Sequence, residues 1–203
     1  MHVDIWTVLS IIGTVAFSLS GAIVAIEEEF DILGLFILGF ITAFGGGAIR
    51  NLLIGLPVTA LWSQGQEFHF ALASLILIII FPKYIKKGWM KAEVLTDAVG
   101  LAAFSVQGAI HAVHLGQPLS AVIVAAVLTG AGGGVVRDVL AGRKPGVLRS
   151  EIYAGWSIVA AVCIYFKLAH TDFEYYILVI LLTIFRMIGY KKKWNLPKVT
   201  WRG

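Results

Sequence analysis

Little in this 203-residue chain points to catalysis or metal chemistry. It has one cysteine, Cys163, inside an apolar run, so no intrachain disulfide can form and no Cys/His cluster has zinc-site spacing. His111 and His114 stand three residues apart, but no third ligand accompanies them and no metal site is expected. No nucleophile-and-base pair is evident. Paired intramembrane carboxylates of the kind proton-coupled pumps use are missing as well. The stretch GAGGG at 130–134 superficially resembles a nucleotide-binding glycine loop, yet no strand precedes it and its acidic partner is absent. No lysine or arginine precedes the first apolar run, so there is no basic n-region of a cleaved signal peptide and the first span is expected to stay. No cofactor and no nucleic-acid partner are expected.

Charge is scarce too. Charged residues make up 14% of the chain and apolar residues 59%, against ~25% and ~45–50% in soluble domains. Glycine, proline and charge clusters divide the chain into seven apolar segments, 5–26, 32–56, 67–85, 94–115, 118–142, 151–168 and 173–190. Each is about the length that crosses a bilayer. In hydrocarbon the backbone must satisfy its own polar groups, so helices are the default. No strand-like alternation suggests a barrel. The expectation is one all-α polytopic membrane domain over 1–203.

Basic residues orient it. Lys83, Lys86, Lys87 and Lys91 lie in the third connection and Arg143, Lys144 and Arg149 in the fifth; Lys191, Lys192, Lys193, Lys198 and Arg202 form the tail. These are twelve of the sixteen Lys and Arg residues. With seven spans all three regions share a side, which the positive-inside rule makes cytoplasmic. The N-terminus, the Ser63–Glu67 connection, the Gly116–Gln117 turn and the Thr171–Glu174 loop are then outside. The acidic turn Glu27, Glu28, Glu29 and Asp31 falls inside, where acids count little in that rule. The expected location is the cell's inner (plasma) membrane.

Shifted by 87 residues, the sequence matches itself. Gly13, Ala16, Phe17, Ser18, Gly21 and Ala22 fall on Gly100, Ala103, Phe104, Ser105, Gly108 and Ala109. Without a gap, Thr42, Gly45, Gly46, Gly47, Arg50, Leu53 and Gly55 fall on Thr129, Gly132, Gly133, Gly134, Arg137, Leu140 and Gly142. The unit holds three spans. Three is odd, so the copies must cross the membrane in opposite senses. The reading is an inverted repeat, 5–91 against 92–170, followed by a seventh helix over 171–190 and a basic tail over 191–203. In such folds the functional site lies near the midplane, where glycine-interrupted helices meet.

Each glycine costs about 1 kcal/mol relative to alanine inside a helix. The triplets Gly45–Gly47 and Gly132–Gly134 are therefore expected to loosen or bend spans 2 and 5 and to free carbonyls toward a pore. Close helix packing through small residues is a compatible reading. Arg50 and Arg137 follow the triplets inside their spans, where an arginine costs at least ~2.5 kcal/mol and faces the bundle interior or water. They either snorkel to the headgroups or act as a plug or gate in the pathway. Asp138, opposite Asn51 in the repeat, either pairs with a base or tunes cation entry. Ser18 and Ser105 face the pathway or bond their own helix backbone. Asp97, near the inner end of span 4, is expected to be wet.

The doubled GGGxxR(D/N)xLxG motif, the length and the three-plus-three-plus-one spans resemble the prokaryotic trimeric intracellular cation (TRIC) channels, whose bacterial relatives are also catalogued as glycine-transporter-domain proteins. The likeness runs from about Trp6 to Tyr190. It implies a homotrimer with a pore in each protomer. Kinked spans 2 and 5 line that pore, with Gly45, Gly46, Gly47, Gly132, Gly133 and Gly134 at the kinks and Arg50 and Arg137 beside them. The permeant ions would be potassium, sodium and other monovalent cations. The lysine motif by which animal members bind a phosphoinositide has no match here, and the basic tail is expected to touch anionic lipid nonspecifically. The alternative is a carrier for a small neutral solute such as glycine.

Overall fold

The computed structural model describes residues 4–53, 57, 59, 64–81, 89–148 and 152–195. Gly55, Ser63, Lys83, Lys86, Lys87, Arg149, Lys198 and Arg202 lie outside the described residues. The described residues form α-helices: α1 (Ile5–Glu27), α2 (Ile32–Leu53), α3 (Gly65–Ile80), α4 (Trp89–His114), α5 (Leu119–Leu140), α6 (Tyr153–Tyr165) and α7 (Asp172–Lys192), with a 3₁₀ turn at Gly146–Leu148. No strand occurs among them.

Local chemistry sets several ends. Helix α1 stops where three glutamates follow its apolar run and Glu29 turns to φ 57°. Helix α7 begins with a capping box: Thr171 accepts from the Glu174 N–H, and Glu174 accepts in return from the Thr171 N–H. Beyond α5, Gly142 takes φ 71°, a left-handed conformation that costs glycine little, and so turns Arg143 back toward the bundle.

Helices α1, α2, α4, α5 and α7 are long and apolar enough to cross a membrane, while α3 and α6 are apolar but shorter. With 16 and 13 residues, α3 and α6 rise only about 24 and 20 Å, less than the ~30 Å hydrocarbon layer. The expected spans 67–85 and 151–168 exceed these helices. Residues 82–85 and 151 lie outside the described set, and α6 ends early because Lys167 adopts φ 57°.

The two repeats meet along α1–α4 and α2–α5. A Cβ on Gly13 would fall under 3.0 Å from the Phe104 ring, and one on Gly100 equally close to Phe17. These are the same contact viewed from the two copies. Nearer one end Trp6 lies against His111, their ring centroids 5.3 Å apart. Numbers rise along α1 as they fall along α4, so the pair is antiparallel. The same holds for α2 and α5, where Gly46 faces the Thr129 carbonyl and Gly133 the Thr42 carbonyl. The geometry is that of an inverted repeat with its pseudo-two-fold axis between Phe17 and Phe104, whose centroids lie 5.4 Å apart. The core is small-residue and aliphatic: Leu9, Val106, Val122, Ala126, Ala160 and Leu182 bury one half, and Ala22, Val24, Leu38, Leu75 and Ile78 the other.

Candidate functional site

The site is built on the α2–α5 crossing. Each helix runs as one continuous α-helix through its triplet. No break that would free carbonyls occurs within either helix at the triplets, and the glycines allow close approach. Built Cβ atoms on Gly46 and Gly133 would each fall under 3.0 Å from a backbone carbonyl of the facing helix, while one on Gly132 would lie 3.1 Å from the Gly46 Cα. Backbones in contact leave no room for side chains, the reason small residues mark membrane helix crossings. Thr42 and Thr129, equivalent in the repeat, each donate a hydroxyl to the carbonyl four residues back, at 2.6 Å to Leu38 and Ala125.

Both arginines lie inside the protein. Arg50 is 5% and Arg137 4% exposed, so neither snorkels. Their surroundings differ sharply. Arg137 donates from Nη1 to Asp97 Oδ1 at 3.0 Å, and from Nε and Nη2 to Asp138 Oδ1 at 2.8 and 2.7 Å. It also bonds the Ser20 hydroxyl and lies 3.7 Å from Glu93. Asp97 is 3% exposed and accepts from Tyr153 Oη at 3.0 Å and Arg186 Nη2 at 3.2 Å. The Arg186 guanidinium sits 4.1 Å above the Tyr153 ring. The expectation of a wet Asp97 is therefore corrected, as is that of no grouped intramembrane carboxylates. Burying these acids is tolerable because two guanidinium groups, a phenol and a backbone N–H share their oxygens, the last being Gly146 to Asp138 Oδ2 at 2.8 Å.

This cluster borders a cleft of about 210 Å³, which Arg143 and Lys144 also line. Arg143 bridges α1 and the loop after α5, bonding Glu28 at 2.6 Å and Glu27 at 2.8 Å, with Glu93 at 3.8 Å. Burial lowers its pKa, but the two glutamate hydrogen bonds and the Glu93 charge outweigh that and leave it raised.

At the opposite end of the crossing, the one hydrogen-bond partner of Arg50 among the described residues is Asn51 Oδ1, at 3.1 Å from Nε and 3.0 Å from Nη2, and the guanidinium lies 5.9 Å from the Trp6 ring. Among the described residues no carboxylate lies within 4.0 Å of it. It lines a cleft of about 10 Å³ with Ser10, Thr14, Gly47, Gln64 and Gln107. Phe104 borders this small cleft and packs on Phe17, closing the middle of the molecule between the two clefts.

Ser18 and Ser105 line neither cleft. Ser18 pairs with Ser74 at 2.6 Å and Ser105 with Ser157 at 2.7 Å, each tying the first helix of its repeat to the third. His111 packs on Trp6. Sequence reasoning passed over Glu93, Tyr153 and Arg186. Arg186 had a visible signal, a lone arginine in the apolar run of the last span.

Fold and site together define a multi-pass helical membrane protein built from an inverted repeat around two buried arginines. The family model described as "Glycine transporter" matches the chain twice, over residues 7–83 and 94–170, one match per repeat. Over 97% of its length the chain is 55% identical to the UPF0126 membrane protein YvgT of Bacillus subtilis strain 168, covering 98% of that protein. It is 37% identical over 76% of its length to the inner membrane protein YadS of Escherichia coli K12, covering 74% of it. A solved prokaryotic TRIC channel superposes with a TM-score of 0.87 at 31% identity, covering 95% of this chain and 98% of that one. The TRIC orthologue of Rhodobacter sphaeroides gives 0.82 at 29% identity, over 92% of this chain and 97% of that one. The chain belongs to the TRIC channel family, the group that the glycine-transporter model describes. That is a family of channels, not of enzymes.

Proposed function

We propose that this protein is a cation channel that passes potassium and other monovalent cations, with one route through each protomer of a homotrimer. The observation that carries the reading is the pair of polar clefts on opposite sides of the α2–α5 crossing, each holding a buried arginine. The names of the solved relatives, prokaryotic and trimeric intracellular cation channels, support it. The conformation described is closed: Phe17 and Phe104 meet at the centre, and the backbones of α2 and α5 touch. Conduction requires those helices to part.

Glu93, at the edge of the inner cleft, supplies negative charge where a cation would gather, while Arg137 holds the deeper carboxylates. Arg50 and Arg137 form the gate. Each places a fixed positive charge beside the crossing, and a cation passes only when that charge is turned aside or neutralised. The protein sits in the plasma membrane with its N-terminus outside. Lys191, Lys192 and Lys193 then end α7 at the cytoplasmic face, where anionic lipid meets them.

A second reading, a carrier for a small neutral solute such as glycine, is favoured by the family description alone. Inverted repeats serve alternating access equally well. Purified protein in liposomes separates the two. A potassium gradient should drive flux, and Arg50→Ala or Arg137→Ala should change single-channel open probability. Saturable glycine uptake without any cation current would overturn the channel reading.

A further inference from the structure

Subtracting 87 from the partners of Arg137 reveals what the other half of the molecule has given up. Arg137 maps onto Arg50, Asp138 onto Asn51, Asp97 onto Ser10 and Glu93 onto Trp6, while Ser20 maps forward onto Gln107. The structure keeps the frame. Ser10 and Gln107 line the Arg50 cleft, Asn51 bonds the guanidinium and Trp6 stands beside it. Every acid of one cluster is a neutral residue in the other, yet the arginine is retained and equally buried. Of the twelve acidic residues only Glu151 is outside the described set, and in the sequence it belongs to the second repeat, that of Arg137.

A buried charge without a partner is expensive. The partial negative charge of the α2 C-terminus offsets part of that cost, and Asn51 contributes one oxygen. Neither supplies the counter-charge that three carboxylates give Arg137. The cleft beside Arg50 has about 10 Å³, room for one water-sized occupant. Hydroxyl and amide donors from Ser10, Thr14, Gln64 and Gln107 surround it. A carboxylate, with three heavy atoms, is too large for that space.

We propose that this cleft binds one small monovalent anion, of chloride size, as the missing counter-ion of Arg50. The inference is independent of which solute the protein conducts. It makes the neutralisation of Arg50 a matter of occupancy on one side and of covalent sequence on the other.

The test is thermal unfolding of purified protein in detergent, with chloride replacing gluconate at constant ionic strength and pH. Saturable stabilisation is expected, on the order of 3–6 °C at ten times Kd. Asn51→Asp, which restores the carboxylate of the other repeat, should make unfolding independent of chloride. Arg50→Gln should do the same. No chloride dependence in the parent protein overturns the proposal, as does equal dependence in Asn51→Asp. Acetate matching chloride overturns the size assignment. Crystals grown in bromide give a reading free of stability: an anomalous peak within hydrogen-bonding distance of the Arg50 guanidinium supports the site, and a cleft holding only water removes it.

Discussion

Gly46→Ala and Gly45→Ala differ by one position in the same helix, yet the crossing treats them oppositely. A Cβ on Gly46 would fall under 3.0 Å from the Thr129 carbonyl oxygen, whereas on Gly45 its nearest neighbour is the Gly133 Cα at 3.7 Å. The first clash is with backbone and cannot be relieved by a rotamer, so α2 and α5 must part by about 1 Å to regain ordinary contact. Both substitutions gain the same helix propensity, about 1 kcal/mol, so that contribution cancels between them. What remains is overpacking, about 1–3 kcal/mol against Gly46→Ala. At ~2–4 °C per kcal/mol for a chain of this size, Gly46→Ala should melt about 2–12 °C below Gly45→Ala. Fluorescence-monitored unfolding of the two purified variants in one detergent measures it. Gly133→Ala should behave like Gly46→Ala, and the double variant should cost less than the sum because the helices have already separated. If Gly45→Ala is as damaging as Gly46→Ala, the triplet acts through backbone flexibility and the packing account is wrong.

Other outcomes follow from the polar contacts. Asp97→Asn leaves the Arg137 and Arg186 guanidinium groups short of a buried counter-charge and should lower stability by about 3–5 kcal/mol, read as a fall in melting temperature. Replacing Asp97 without loss would mean that Asp138 and Glu93 suffice. Arg143→Gln breaks a partly exposed bridge to Glu27 and Glu28 and should cost no more than about 1 kcal/mol, with the difference from the parent shrinking as salt rises. A salt-independent difference would argue against an electrostatic role. Ser105→Ala strands the Ser157 hydroxyl in a buried site and should cost about 1–3 kcal/mol, whereas Ser105→Ala with Ser157→Ala should recover part of that.

What the sequence alone determined was periodic and global. Long apolar runs require helices because hydrocarbon offers the backbone no partners, and a three-span unit repeated at 87 residues can only be inverted. The glycine triplets and their arginines could be found by matching the chain to itself. Their use could not, because a glycine that bends a helix and one that admits a neighbour's backbone look identical in one dimension. Only the packed α2–α5 crossing distinguishes them. The ion cluster was equally hidden. Glu93, Asp97, Arg137, Tyr153 and Arg186 come from α4, α5, α6 and α7, and whether an acid is wet or paired depends on which side chains meet it across helices. Sequence carried the asymmetry of Asn51 and Asp138. Tertiary structure decided that one arginine is enclosed by carboxylates and the other by neutral donors.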